Sequence, residues 1–188
     1  MIVVGIDEVG RGCWAGPLVA GAVILSKEIP GLKDSKLLSK KRRETLAELI
    51  TINSNTIGIG WVDAIEIDKI GLTKATALAM QRALDKIKVG YDQIIIDGSL
   101  NYLSANPKAT ALIKADNIVP CVSAASIIAK VARDDYMSAM ALEYPNYGFE
   151  KHVGYGTKVH LEKLKLYGLS KLHRKSFRPI ANLMIDGI

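Results

Sequence analysis

Short runs of aliphatic and β-branched residues alternate with amphipathic stretches along the chain. Ile2-Val3-Val4-Gly5-Ile6 predicts a buried strand ended by Asp7. Leu18 to Leu25 predicts a second strand, reached through the Gly-rich connection Gly10 to Pro17. Thr56 to Val62 alternates and predicts a third, and Gln93-Ile94-Ile95-Ile96 a fourth, ended by Asp97-Gly98. A short strand is expected around Ile118-Val119. Ser39 predicts the N-cap of a helix through Ile50. Ala77, Met80, Leu84 and Ile87 mark one face of a helix over Thr73–Ile87. Ser123 to Ala141 predicts a helix whose first half is apolar nearly all round and therefore buried, and Pro120 stands where such a helix can begin. A loop rich in Gly, Pro and Tyr is expected from Tyr144 to Gly156, with helices at Lys158–Tyr167 and near Lys171.

Strands first, then strands alternating with helices, indicate an α/β domain with a mixed sheet. The expected division is an α/β domain over 1–143 and a basic helical extension over 144–188, packed as a single compact unit. Composition agrees with a globular domain: 49% of residues are hydrophobic and 23% charged. The longest apolar stretch, Trp14 to Leu25, is interrupted by Gly16, Pro17 and Gly21 and is too short to cross a membrane. Carboxylates at positions 7 and 8 argue against a signal peptide, so a cytoplasmic, monomeric protein with no membrane association is expected. Cys13 and Cys121 form no CxxC pair and read as packed thiols.

Charge changes the picture. Residues 150–178 hold eight basic and two acidic side chains, an excess of six that equals the net charge of the whole chain. The remaining 17 bases and 17 acids cancel. All three histidines lie in the same segment, which suggests a surface that binds a polyanion. Five of the seven tyrosines fall between 136 and 167. Tyr136 and Tyr167 are expected in the core, and Tyr155, between Gly154 and Gly156, on an exposed loop able to meet a sugar or base.

Candidate chemistry comes from acids. Asp7 and Glu8 follow one buried strand and Asp97 another, and neighbouring strands present their ends at one sheet edge. Asp116 precedes the expected Ile118-Val119 strand. Consecutive strand residues point to opposite faces, so Asp7 and Glu8 can share a site only if the chain bends between them; Gly10 and Gly12 make that bend plausible. Clustered carboxylates repel unless a cation lies between them, and oxygen-only ligands suit Mg²⁺ or Mn²⁺. Each acid alone also reads as a turn residue, Asp97-Gly98 in particular. Gly10-Arg11-Gly12 reads as a substrate-gripping loop; no Walker A sequence and no GxGxxG fingerprint is present.

The blocks DEVGRG at 7–12, DSK at 34–36, IIIDG at 94–98, SAASIIAKVARD at 123–134, HVGYGTKVH at 152–160 and LHRKSF at 172–177 resemble bacterial type 2 ribonucleases H, the ribonuclease HII family, in order and over nearly the whole chain. The resemblance implies an RNase H-like fold, a central mixed β-sheet flanked by helices, with a C-terminal helical extension. It implies that Asp7, Glu8, Asp97 and Asp116 are catalytic and bind two divalent ions, Mg²⁺ or Mn²⁺. It implies that Gly10, Arg11 and Gly12 contact 2′-hydroxyls, that Tyr155 stacks on the sugar after the ribonucleotide, and that Lys36 lies near the substrate backbone. The implied substrates are RNA/DNA hybrids and duplex DNA containing ribonucleotides, cut 5′ of the ribonucleotide to give 5′-phosphate and 3′-hydroxyl ends, in ribonucleotide removal and primer processing. The GKG loop of the type 3 relatives is replaced here by Gly10-Arg11-Gly12. Two departures stand out: Cys13-Trp14 after the loop, and Ala115 where a glycine usually precedes the last acid, which makes Asp134 a rival to Asp116. A nucleic-acid-binding module without catalysis, and a junction-resolving DNA nuclease, are the alternatives.

Overall fold

The computed structural model describes residues 1–32 and 35–185, the side chain of Lys36 excepted. A five-stranded sheet runs in the order β3-β2-β1-β4-β5. Its strands are β1 (Val3–Val9), β2 (Leu18–Leu25), β3 (Ser54–Val62), β4 (Gln93–Asp97) and β5 (Ala109–Leu112). β1 pairs antiparallel with β2 and β2 with β3, whereas β1–β4 and β4–β5 are parallel, giving the mixed sheet expected. The helices are α1 (Lys40–Ile52), α2 (Ala64–Ile70), α3 (Leu72–Leu84), α4 (Ala115–Ile118), α5 (Pro120–Glu143), α6 (Phe149–His152), α7 (Lys158–Tyr167) and α8 (Arg178–Ile185).

Alternation along the strands sorts the residues into two layers of core. Val4 and Ile6 of β1 and Ile94 and Ile96 of β4 face α3, packing with Ala79 and Met80. The opposite face carries α5 and α1, where Val23 packs with Leu46, Ile50, Ala124 and Ile127. The helices approach the sheet closely because small residues meet them. A Cβ on Gly5 would stand 2.2 Å from the Cys121 backbone in α5, and one on Gly60 1.9 Å from the Ala79 carbonyl in α3. A third cluster joins Ala15 and Met137 to Tyr147, Phe149, Leu164, Ile180 and Leu183, so the C-terminal helices are bound into the same body.

Several expectations shift. β1 does not stop at Asp7 but continues to Val9. The strand expected at Ile118-Val119 is absent: Ile118 closes α4 and Val119 is the extended N-cap of α5, with Pro120 in its first turn. The strand beside β4 is Ala109–Leu112 instead. α2 was not expected; it starts at a capping box in which Asp63 accepts the Glu66 N–H and Glu66 accepts the Asp63 N–H. The Tyr144–Gly156 loop contains the short helix α6. Lys171 lies in a turn, and the last helix begins at Arg178. Tyr136 is half-buried, but Tyr167 is exposed rather than core. In α8, Leu183 is buried while Met184 and Ile185 are exposed.

Candidate active site

The last paired rung of β1 and β4 is Ile6–Ile96, so Asp7 and Asp97 are the next residues of two neighbouring parallel strands. Both fall on the face covered by α5, as Gly5 and Ile95 do. Asp116 arrives from the first turn of α4, and its N–H reaches the Asp97 carboxylate at 3.4 Å. One carboxylate oxygen from each of Asp7, Asp97 and Asp116 lies within 4.8 Å of the other two. Asp7 and Asp116 are buried, at 6% and 4% exposure.

Glu8 stands next in β1 and so belongs to the other face, because the chain turns at Gly10 rather than between the two acids. Its carboxylate lies 3.6 Å from Arg11 Nε. It is near enough to influence Asp7. Burial raises the Asp7 carboxyl well above the ordinary carboxylate range, and the charges of Glu8 and Asp97 raise it further. Hydrogen bonds from the Ser126 hydroxyl and the Glu8 N–H oppose that rise. With Ser126 donating to Asp7, Ser35 is the donor in the buried 2.9 Å contact between the two serines. Asp134, the rival to Asp116, is instead paired with Lys130 at 2.8 Å and lies 3.8 Å from Arg43.

The Gly10–Gly12 loop leaves the sheet directly beside these acids. Gly10 has φ +87°, and a Cβ there would meet Arg133 Nε at 2.3 Å, so only glycine fits. Gly12 is exposed, with open space where its side chain would be. The Arg11 side chain turns inward from this loop. It donates to Tyr102 and to Thr76 Oγ1 and lies over the Tyr102 ring, against α3.

Two fully buried arginines hold the loop from behind. Arg133 donates to the carbonyls of Pro17, Ala15 and Val153 at 2.9, 3.1 and 2.8 Å. Arg174 donates to Gly16 and Arg11. Burial lowers Arg174 to about 10, which leaves it charged at neutral pH. Arg174 and the three histidines are therefore interior, not part of a polyanion-binding surface as their place in the basic segment suggested. The exposed members are Lys151, Lys158, Lys165, Lys171, Lys175 and Arg178. The two arginines have no local sequence signal, since their partners lie more than 100 residues away, Val153 apart.

Tyr155 is docked on the same loop. The Gly154 carbonyl accepts from the Trp14 and Ala15 N–H groups, and the Trp14 ring lies so close over Gly156 that a Cβ would meet it at 2.1 Å. Cys13 is hydrogen-bonded to the Tyr155 hydroxyl, and burial pushes that hydroxyl up to about 12. Lys130 and Arg133 lie 5.8 and 6.0 Å from the Tyr155 ring centre, yet the residue remains 39% exposed. Cys13 and Trp14 thus have a place: they seat the Tyr155 turn. Both cysteines are free and buried. The expected role of Lys36 falls outside the described residues.

A family model, Ribonuclease HII, matches residues 4–180. The chain belongs to the ribonuclease HII family. The ribonuclease HII of Coxiella burnetii is 44% identical over 191 residues, covering 98% of this chain and 92% of that protein. That of Pelagibacter ubique is 45% identical over 185 residues, covering 97% and 99%. The crystal structure of ribonuclease H2 from Pyrococcus horikoshii superposes with a TM-score of 0.84 at 27% identity, over 99% of this chain and 98% of that one. The ribonuclease HII assignment makes the chain a ribonuclease H, a metal-dependent endonuclease acting on RNA/DNA hybrids, on an RNase H-like fold. No helix among the described residues is long and apolar enough to cross a membrane.

Proposed function

We propose that this chain hydrolyses the RNA strand of RNA/DNA hybrids and also cuts duplex DNA on the 5′ side of embedded ribonucleotides, leaving 5′-phosphate and 3′-hydroxyl ends. Its role is ribonucleotide removal from DNA and primer processing in the cytoplasm, as a monomer. The observation that carries this reading is the convergence of Asp7, Asp97 and Asp116 beside a glycine loop onto which Tyr155 is docked.

The donor set fits hard divalent cations. Three carboxylates converge with no thiolate or imidazole among them, which suits Mg²⁺ or Mn²⁺. The raised Asp7 carboxyl is what a site shaped for a cation presents without one. Asp7, Asp97 and Asp116 would hold the ions, with Glu8 outside the cluster that those three form. When bound, two such ions supply an activated water and stabilise the leaving 3′-oxygen. Ser126 and the Glu8 N–H orient Asp7 for this task, and Asn117 Nδ2 donates to Asp116 at 2.9 Å.

The 2′-hydroxyl is a recognition handle, since it is what distinguishes RNA from DNA. With the Arg11 guanidinium turned onto Tyr102 and Thr76, the backbone of Gly10, Arg11 and Gly12 is what a 2′-hydroxyl would meet. The open space at Gly12 admits that approach. The exposed Tyr155 ring would stack on the sugar that follows, and the exposed lysines of residues 151–175 would face phosphates.

The test is end-mapping on a DNA duplex with one ribonucleotide. A single cut on its 5′ side, with 3′-hydroxyl and 5′-phosphate ends and no cutting of all-DNA duplex, is expected. Cyclic 2′,3′-phosphate ends, or equal cutting of all-DNA duplexes and four-way junctions, would overturn it.

A further inference from the structure

The chain has three histidines, all buried, and the chemistry proposed above uses none of them. They form one cluster behind Tyr155. The His152 and His160 rings stack at 4.3 Å, and His160 and His173 lie 5.2 Å apart, centre to centre. Trp14, Tyr147 and Phe149 close around them.

Their hydrogen bonds fix where each ring proton sits. The Ser170 N–H donates to His173 Nδ1 at 2.9 Å, so that nitrogen is bare and the ring proton is on Nε2. His173 Nε2 lies 3.0 Å from His160 Nε2, and only one of the two can carry a proton. His173 donates, so His160 Nε2 accepts, and the His160 proton is on Nδ1. That nitrogen lies 2.9 Å from the Tyr155 carbonyl and donates to it. His152 follows the same logic, accepting the Gly154 N–H at Nδ1 and donating from Nε2 to the Tyr147 carbonyl. Every bond runs one way with all three rings neutral. Burial supports the neutral forms, lowering His160 to about 4 and His173 to about 3.

The line ends on the backbone of the exposed tyrosine. The Tyr155 N–H donates to the His152 carbonyl, and the Tyr155 carbonyl accepts from Thr157 as well as His160. The peptide groups on both sides of Tyr155 are thus tied to the histidine cluster, while its ring is partly exposed with its hydroxyl on Cys13.

We propose that His160 is a positioning residue for cleavage at single ribonucleotides: its Nδ1–H, placed there by the one-way line from Ser170 through His173, fixes the Tyr155 carbonyl and so sets its ring for the junction sugar. The proposal rests on the reading of Tyr155 given above.

Two isosteres separate its parts. An asparagine amide reaches where His160 Nδ1 stands, and a glutamine amide where Nε2 stands. His160→Asn keeps the donor to Tyr155 and gives up the bond to His173; His160→Gln does the reverse. The readout is the ratio of single-turnover rates on a duplex with one ribonucleotide and on a uniform RNA/DNA hybrid. His160→Gln is expected to lower that ratio about tenfold, on the scale of a small misplacement of a substrate-positioning group, with the hybrid rate retained. His160→Asn should keep the ratio near wild type. Equal loss on both substrates in both variants, or an unchanged ratio in His160→Gln, overturns the proposal.

Nitrogen-15 NMR of the wild-type imidazoles reads the protons directly, whether or not a variant folds. His173 protonated at Nε2 and His160 at Nδ1 is expected, and His160 protonated at Nε2 overturns the proposal. Tyr155→Ala separates the two readings. A ratio unchanged in Tyr155→Ala removes Tyr155 from junction sensing, and the proposal falls with it. A ratio lowered in Tyr155→Ala but not in His160→Gln removes His160 alone.

Discussion

The Arg174 guanidinium, fully buried near the C-terminus, donates to the main-chain carbonyl of Arg11 at 3.0 Å. With two further bonds to Gly16, it turns the carbonyls of the loop inward and ties the last quarter of the chain to the loop beside the acids. Arg174→Ala leaves buried carbonyls unsatisfied and is expected to destabilise by about 3 kcal/mol or more. For a chain of this size that lowers the melting temperature by about 6–12 °C. Arg174→Lys, which keeps the charge but not the fork, should fall between. A melt within a degree of wild type for the alanine variant would contradict this role.

Asp7 links metal to stability. Its carboxyl is raised in the fold, so in metal-free protein its contribution is favourable below the ordinary carboxylate range near pH 4 and is lost as pH rises through the elevated native value. Asp7→Asn removes that penalty. In EDTA at pH 8 the variant is expected to melt a few degrees above wild type, and Mn²⁺ should stabilise wild type only. A metal-free melt several degrees below wild type, or an equal Mn²⁺ shift in both, would count against Asp7 as a ligand.

The histidine cluster sets acid stability. An unfolded histidine titrates near 6.5, whereas His160 and His173 titrate at about 4 and about 3 in the fold. Between these values the unfolded chain binds protons that the native one refuses, so stability falls as pH drops from about 6.5. Each histidine contributes up to about 1.4 kcal/mol per pH unit. In the Asp7→Asn variant, where the opposing contribution of Asp7 is absent, melting temperature should therefore fall by roughly 5–10 °C per unit below pH 6. A flat profile from pH 6.5 to 5 would show that these rings are protonated in the fold.

Phosphate binding is predicted for exposed lysines alone. Deleting the C-terminal segment would remove Phe149, Leu164 and Ile180 from the core and unfold the protein, so point changes are the proper probe. Lys158→Gln with Lys165→Gln should weaken hybrid binding and lower the slope of log affinity against log salt by about one for each phosphate no longer neutralised. An unchanged slope would show that other side chains neutralise the phosphates.

Much of the fold was legible because β1 and β4 are runs of β-branched residues leading into acids, and because Ser39 and Pro120 mark helix starts. β5 was missed because Ala109–Leu112 is short and mixed, while Ile118-Val119 has the better strand composition. Its β-branched pair was overridden by the helical turn that begins at Lys114 in the left-handed region. α2 could have been read from Asp63 and Glu66, whose spacing is a capping box. At the site, Asp7 and Asp97 were legible from strand ends, whereas Asp116 rested on the resemblance. The interior roles of Arg133, Arg174 and the histidines depend mostly on distant or tertiary partners, and composition alone read the tail residues among them as surface.

The most direct measurement is the rate of cutting a DNA duplex that contains one ribonucleotide, for wild type with Mg²⁺, wild type with EDTA, and Asp7→Asn with Mg²⁺. Cutting should stop in EDTA and return with added Mg²⁺. Asp7→Asn should stay inactive while binding the duplex as tightly as wild type. Cutting that persists in EDTA, or turnover near wild type in Asp7→Asn, would contradict a metal centre built on Asp7, Asp97 and Asp116.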